Sequence, residues 1–439
     1  MPVPVVHFTD ERLPNGLRLI VVEDRLAPVV AVNLWYNVGS RHEAPGKTGF
    51  AHLFEHVMFQ GSGHVAKAEH FALVQGAGGT LNGTTWFDRT NYFETVPSHQ
   101  LELALWLEAD RMGTLTDALS QENLDNQRAV VKNEKRWSYD NRPYGSWTEK
   151  LFGHLFPDGH PYHHPTIGSM ADLDAASLED VTAFFRTYYA PNNAVLSVVG
   201  DCERAQVRAW AERYFGPIPA NPSIPPAPDG TLPAVIGAEY RELVEDRVPL
   251  PRVFFGFRAP VFGDVRLDAL DIASQILAGG KGSRLHRRLV REDRLAQDVA
   301  AFVLPLVGGA SIAAGWATAR PGIEIAAVEA AYLEELERLA TEPPTEDEMV
   351  RAKALVEADE LGGLARVEDR ADRLGSYATL LDDPAMINRM LGRYLSISPG
   401  QIRDAVREVF RADNRVVLTY VPKPTDGGEA AADRAGEGA

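Results

Sequence analysis

At roughly 100–200 residues per domain, a chain of 439 residues implies two to four domains rather than one core. With 45% apolar and 24% charged residues it is ordinary globular material, which excludes wholesale disorder. Sixty-one acidic residues against 44 basic ones give a net charge of −17, which argues against a nucleic-acid or anionic-membrane binder.

The first elements are strands. Leu13-Pro14-Asn15-Gly16-Leu17 carries an Asn-Gly turn into Leu17 to Val22 and reads as a β-hairpin, and Val29 to Val38 reads as a further strand. Helical patterns follow at Leu101 to Arg111 and after Ser120, an N-cap residue, through Trp137 to the stop at Asn141-Arg142-Pro143. Ser177 to Tyr189 is an amphipathic helix that ends at Ala190-Pro191-Asn192-Asn193 and feeds the strand Ala194 to Val199.

That last unit recurs. Ser177 to Asn193 and Ser398 to Asn414 share a spacing of 16, lie 221 positions apart, and each precedes an apolar strand. The helix ending at Gln60-Gly61-Ser62 resembles the one ending at Ala278-Gly279-Gly280, 218 positions on. Two anchors at nearly one offset predict an α+β fold of two tandem homologous domains. The proline-rich stretch from Pro217 to Pro228 reads as an extended linker. The expected division is 1–215, a linker 216–233, a second domain 234–424, and a disordered tail 425–439 rich in Gly, Ala, Asp and Glu. One cysteine, Cys202, forms no internal disulfide and suits a reducing compartment. No apolar run approaches the ~20 residues of a membrane span, and Met1 to His7 does not resemble a signal peptide. The expectation is a cytoplasmic protein with no membrane or nucleic-acid partner.

The chemistry concentrates in His52-Leu53-Phe54-Glu55-His56. Two histidines four apart on a helix share a face and can grip one cation, and Glu55 reaches the same space without having to be a ligand. This is the H-x-x-E-H zinc signature, in which a carboxylate accepts a proton from the attacking water. A third ligand is needed. Glu134 is the best candidate, on a helix whose Val130 and Val131 suggest burial, with Gln127 two turns earlier on the same face.

These residues resemble the pitrilysin family of zinc peptidases, which includes insulin-degrading enzyme and mitochondrial processing peptidase. The resemblance rests on the pentad and on Arg128-x-Val130-Val131-x-x-Glu134. It extends to Gly78-Gly79-Thr80-Leu81-Asn82-Gly83-Thr84-Thr85, Asp88-Arg89-Thr90-Asn91-Tyr92, His160-Pro161-Tyr162 and Tyr189-Ala190-Pro191-Asn192-Asn193. It implies Zn2+ held by His52, His56 and Glu134, Glu55 as general base, and a mostly antiparallel sheet packed with helices in each domain. It also implies an edge strand at Gly78 to Thr85 that takes an extended peptide, with Asn82 on the substrate backbone.

Three departures matter. Gln127 replaces an acid that often stands behind the ligands. The stretch Leu289 to Gln297 resembles the family's Leu-Arg-Glu-x-x-Gly-Leu-Ala-Tyr, but Val290 and Gln297 fall in the arginine and tyrosine slots, with Arg291 one residue away. The second copy places Leu270, Ala273 and Ser274 where the pentad's His52, Glu55 and His56 would recur, so only its shape is retained. The resemblance therefore implies the zinc-bearing subunit of a two-subunit endopeptidase, a heterodimer with a homologous zinc-free chain that supplies Arg and Tyr. A homodimer and a non-catalytic assembly subunit are the alternatives. His160, His163 and His164 in one loop, and the Gly-rich turn Gly279 to Gly282, read as structural.

Overall fold

The structure, a computed structural model, describes residues 4–424. It contains two mixed sheets. The strands are β1 (Thr9–Arg12), β2 (Arg18–Glu23), β3 (Val29–Tyr36), β4 (Thr80–Thr85), β5 (Thr90–Pro97) and β6 (Ala194–Gly200), then β7 (Tyr240–Asp246), β8 (Arg252–Ala259), β9 (Ala296–Leu304), β10 (Ser311–Ala319) and β11 (Arg415–Pro422). The first sheet runs β1-β2-β6-β3-β5-β4 and the second β7-β11-β8-β10-β9. Apart from β1, the two orders correspond strand for strand. In each, one parallel pair (β2 with β6, β7 with β11) interrupts an otherwise antiparallel sheet. The chain thus forms two tandem α+β repeats, as the sequence predicts.

Local chemistry explains the elements. The Asn15-Gly16 turn, with Gly16 at φ +89°, joins β1 to β2 in the expected hairpin. Ser177 and Ser398 cap equivalent helices, Leu178–Tyr188 and Pro399–Val409, each by a capping box. β6, Ala-Val-Leu-Ser-Val-Val-Gly, is buried throughout and lies mid-sheet, whereas β4, Thr-Leu-Asn-Gly-Thr-Thr, is polar and lies at the sheet edge. Between Tyr214 and Tyr240 there is no helix or strand. The expected tail, 425–439, lies outside the described residues. No helix among the described residues is long and apolar enough to cross a membrane.

The repeats exchange helices. Trp147–Leu155, from the first repeat, packs on β8 and β11 of the second sheet. Val367–Leu380, from the second, packs on β3 and β6 of the first. Leu151, Phe152 and Leu155 thereby share an apolar cluster with Phe254, Ile312 and Leu418. Ala371, Leu374 and Tyr377 share another with Ile20, Trp35 and Val199. Each sheet has one face covered by its own repeat and the other by its neighbour's helix.

Candidate metal centre

The helix Phe50–Val57 carries the pentad, and Gln121–Lys135, capped by Ser120, packs against it with Glu134 in its last turn. Leu53, Phe54 and Val57 anchor the first helix in the core, Phe54 against the Tyr189 ring at 4.3 Å. That fixes the opposite face, which bears the histidines. The N-terminus of this helix has no side-chain cap of its own; Glu43 supplies one, its carboxylate accepting from the Gly49 and Ala51 N–H groups at 2.9 and 2.7 Å.

His52, His56 and Glu134 converge. The Nε2 atoms of His52 and His56 lie 3.6 and 3.3 Å from Glu134 Oε2, and the three potential ligand atoms fall within 4.8 Å of one another. The imidazole rings stand at 88° to each other. No Lys or Arg pairs with Glu134 among the described residues; its only ion-pair partners are these histidines. Burial pushes His52 down to about 4, against the opposing pull of Glu134, so its ring is neutral at pH 7. The His56 ring, followed by His52, holds the Glu134 carboxyl below its ordinary value. Two imidazole nitrogens and one carboxylate with no fixed cation beside them are the donor set that suits a zinc ion with a position left open.

Glu55 faces the same space. Burial raises its carboxyl above the usual range, opposed by a hydrogen bond that Thr85 Oγ1 donates to Glu55 Oε2. Thr85 ends β4, so the base candidate is tied to the edge strand. The Thr85 role escapes a reading of motifs; the available signal is strand alternation, which puts Leu81, Gly83 and Thr85 on one face.

Asn82 projects from the other face of β4, exposed, its Oδ1 accepting from the Gly83 N–H at 2.9 Å. Gln127 is buried, with its amide donating to Asn126 at 3.2 Å rather than to a candidate ligand. Arg291 and Gln297 are both exposed in the second repeat. Leu270, Ala273 and Ser274 are buried inside the helix Val265–Ala278. His160, His163 and His164 take separate carbonyl partners, Gly230, Phe156 and Pro165.

A second convergent set, His70, Glu94 and Glu108, is fully buried. It differs from the first because Arg111 already occupies it as the partner of Glu108. The guanidinium binds Glu108 through Nε at 2.9 Å and through a second nitrogen, while His70 meets Glu94 at 2.7 Å. Such a network fixes packing rather than offering open ligand positions.

The chain is similar to known proteins over most of its length. Residues 18–154 match the family model described as Insulinase (Peptidase family M16), and 175–356 match the Peptidase M16 inactive domain. The zinc protease PqqE of Helicobacter pylori is 32% identical over 412 residues, 93% of this chain and 92% of that protein. The chain belongs to the M16 peptidase family. An uncharacterized zinc protease of Streptomyces coelicolor is 25% identical over 403 residues, 91% of this chain and 86% of that one. Among solved M16-like structures, a protease from Helicobacter pylori superposes with a TM-score of 0.89 at 29% identity, covering 95% of this chain and 100% of that one. The periplasmic protease PqqL of Escherichia coli, at 16% identity and a TM-score of 0.75, shares the fold over 95% of this chain and 48% of its own. The insulinase-type match thus lies within the first repeat, and the inactive-domain match runs from the end of the first repeat into the second.

Proposed function

We propose that this M16 chain is a zinc-dependent endopeptidase acting on extended peptides or unfolded protein segments. The observation that carries the proposal is the convergence of His52, His56 and Glu134 beside the carboxylate of Glu55. Zinc at this donor set would supply a Lewis acid toward a peptide carbonyl and would lower the pKa of the attacking water to about 7. The chain's own groups do the rest. His52, His56 and Glu134 would hold the ion. Glu55 takes the proton of the attacking water and returns it to the departing amine. Thr85 fixes the carboxylate rotamer for both transfers. The free edge of β4 offers backbone N–H and C=O groups to an extended peptide, and Asn82, exposed on that strand, is within reach of its backbone.

We further propose that a homologous zinc-free subunit completes the site, because Val290 and Gln297 occupy positions where self-sufficient relatives carry arginine and tyrosine.

Glu55→Gln should keep its zinc, measured by atomic absorption, and lose turnover of a quenched peptide library by at least about a hundredfold. Cleavage at the original rate would remove Glu55 as the base. His52→Ala and Glu134→Ala should each lose zinc; full metal content in both would remove the ligand set. Full peptidase activity of the chain alone, unchanged when a homologous chain is added, would remove the partner.

A further inference from the structure

Glu134 is also on the rim of a cavity of about 670 Å³, within the range of small-ligand sites. The cavity runs from the candidate metal centre across the seam between the two repeats. The first repeat contributes the segment between its long helix and the exchanged one, with Arg142, Tyr144 and Trp147. The second contributes Arg252 and Phe254, two apart on β8 and hence on one face, with Trp316 opposite Phe254 on β10.

The walls are stiff and aromatic. Trp147 stacks on Phe254 at 5.1 Å and 5°. The Trp316 indole N–H donates to Asp298 at 2.9 Å, and the Tyr144 hydroxyl donates to the Leu250 carbonyl at 2.7 Å. Arg252 lies in this aromatic frame, 4.1 Å from the Tyr144 ring centroid, 5.7 Å from Phe254 and 5.8 Å from Trp316. Its Nε donates to Thr318, the register partner across the sheet, at 2.7 Å. The terminal guanidinium nitrogens make no hydrogen bond among the described residues; Asp298, at 3.8 Å, is the one carboxylate within 4 Å. Arg142 forms neither an ion pair nor a side-chain hydrogen bond among the described residues, although the chain carries 61 acidic residues.

Two guanidiniums with free donors therefore face a cavity whose sole acidic lining residue, Glu134, is committed to the candidate metal site. We propose that this cavity is a substrate subsite for a carboxylate of the bound peptide, a Glu or Asp side chain or the C-terminal α-carboxylate, with an adjacent large apolar side chain against Trp147, Phe254 and Trp316. The inference rests on the endopeptidase reading and names the class of peptide it takes. Arginine suits the task because its planar fork matches both carboxylate oxygens, and the aromatic frame holds that fork without neutralising it. It assigns the metal-free repeat a recognition role. It also predicts selectivity opposite to the net charge of −17, which on its own would favour cationic peptides.

The test is binding of dye-labelled octapeptides to the full-length Glu55→Gln protein by fluorescence anisotropy. One series carries Glu or Gln at each internal position in turn. A second compares a free C-terminal carboxylate with its amide. At one position at least, the acid should bind about tenfold tighter than its neutral isostere, the gain of one charge-assisted pair. The series in which the difference arises tells side chain from terminus. Arg142→Gln, an exposed position that leaves the core untouched, should reduce the preference, and Arg252→Gln should abolish it. Equal binding of every acid and neutral pair in the intact protein overturns the proposal, as does a preference that survives both variants. Peptides that bind with the preference while the protein with Glu55 intact cleaves nothing, even with the homologous chain added, would retain the subsite and refute the endopeptidase reading.

Discussion

Thr85 is the clearest case of a single side chain whose job depends on its neighbour's. Its hydroxyl can give only one proton, and it gives it to Glu55 Oε2. The ionised form of Glu55 is otherwise disfavoured by burial. Thr85→Val keeps the branched shape and removes the donor, so zinc stoichiometry should be unchanged while kcat falls by roughly ten- to a hundredfold with little change in KM. An unchanged kcat would show that the hydroxyl positions nothing. At this scale the sequence was legible where spacing alone brings residues together: four positions put two imidazoles on one helical face. Glu134 lies on a second helix, where the apolar Val130 and Val131 beside it marked it as a candidate and the resemblance agreed. Thr85, Arg142 and Arg252 were not legible as a group, because their relation to the site exists only after a strand edge and two repeats have come together.

Among the helices, those starting at Leu178 and Pro399 could be read from Ser177 and Ser398, because a capping box is written within four residues. The pentad helix could not, since its cap, Glu43, reaches it from a preceding irregular segment. The helix Glu346–Ala365 combines both situations. Thr345 and Glu348 form a local capping box, and Glu348 also receives two hydrogen bonds from Arg284, at 2.7 and 2.8 Å, 64 positions earlier. Burial would raise the Glu348 carboxyl, but Arg284 and the Thr345 N–H outweigh it and hold it at about 2, against an ordinary 4.5. A depressed carboxyl stabilises the fold fully above the unfolded value and loses that contribution as pH falls toward the folded one. Glu348→Gln should therefore cost about 1–2 kcal/mol in urea unfolding at pH 7, after allowance for partial exposure. The gap between wild type and variant should narrow between pH 4.5 and pH 2. A gap that stays constant over that range would mean the carboxylate charge is not what holds Arg284 to this helix.

The duplication was legible from two matched offsets, yet it suggested two self-contained units in a row, and the packing is otherwise. Periodicity says that a helix has an apolar face, not which sheet receives it. Trp147–Leu155 and Val367–Leu380 stand at equivalent places in the two repeats and cross over in opposite directions. A glycine admits each one. A Cβ on Gly256 of β8 would lie 2.4 Å from Leu151, and one on Gly375 would lie 2.5 Å from the Trp35 ring of β3. Neither sheet therefore has both faces covered unless the other repeat is folded, and the two should unfold together. Leu151→Ala, at a fully buried position, should cost about 2–5 kcal/mol. Because the lost contacts lie on the second sheet while the mutation lies in the first repeat, one coincident transition should shift for both. This can be followed by urea denaturation with single-tryptophan reporters at Trp35 and Trp316, one on each sheet. Two separated transitions, with only one moved by the substitution, would mean that the repeats are independently stable and that the crossed helices merely decorate them. A common transition would also explain how the subsite at the seam keeps its shape: the walls from both repeats, and the helix that carries Glu134, rise and fall as one unit.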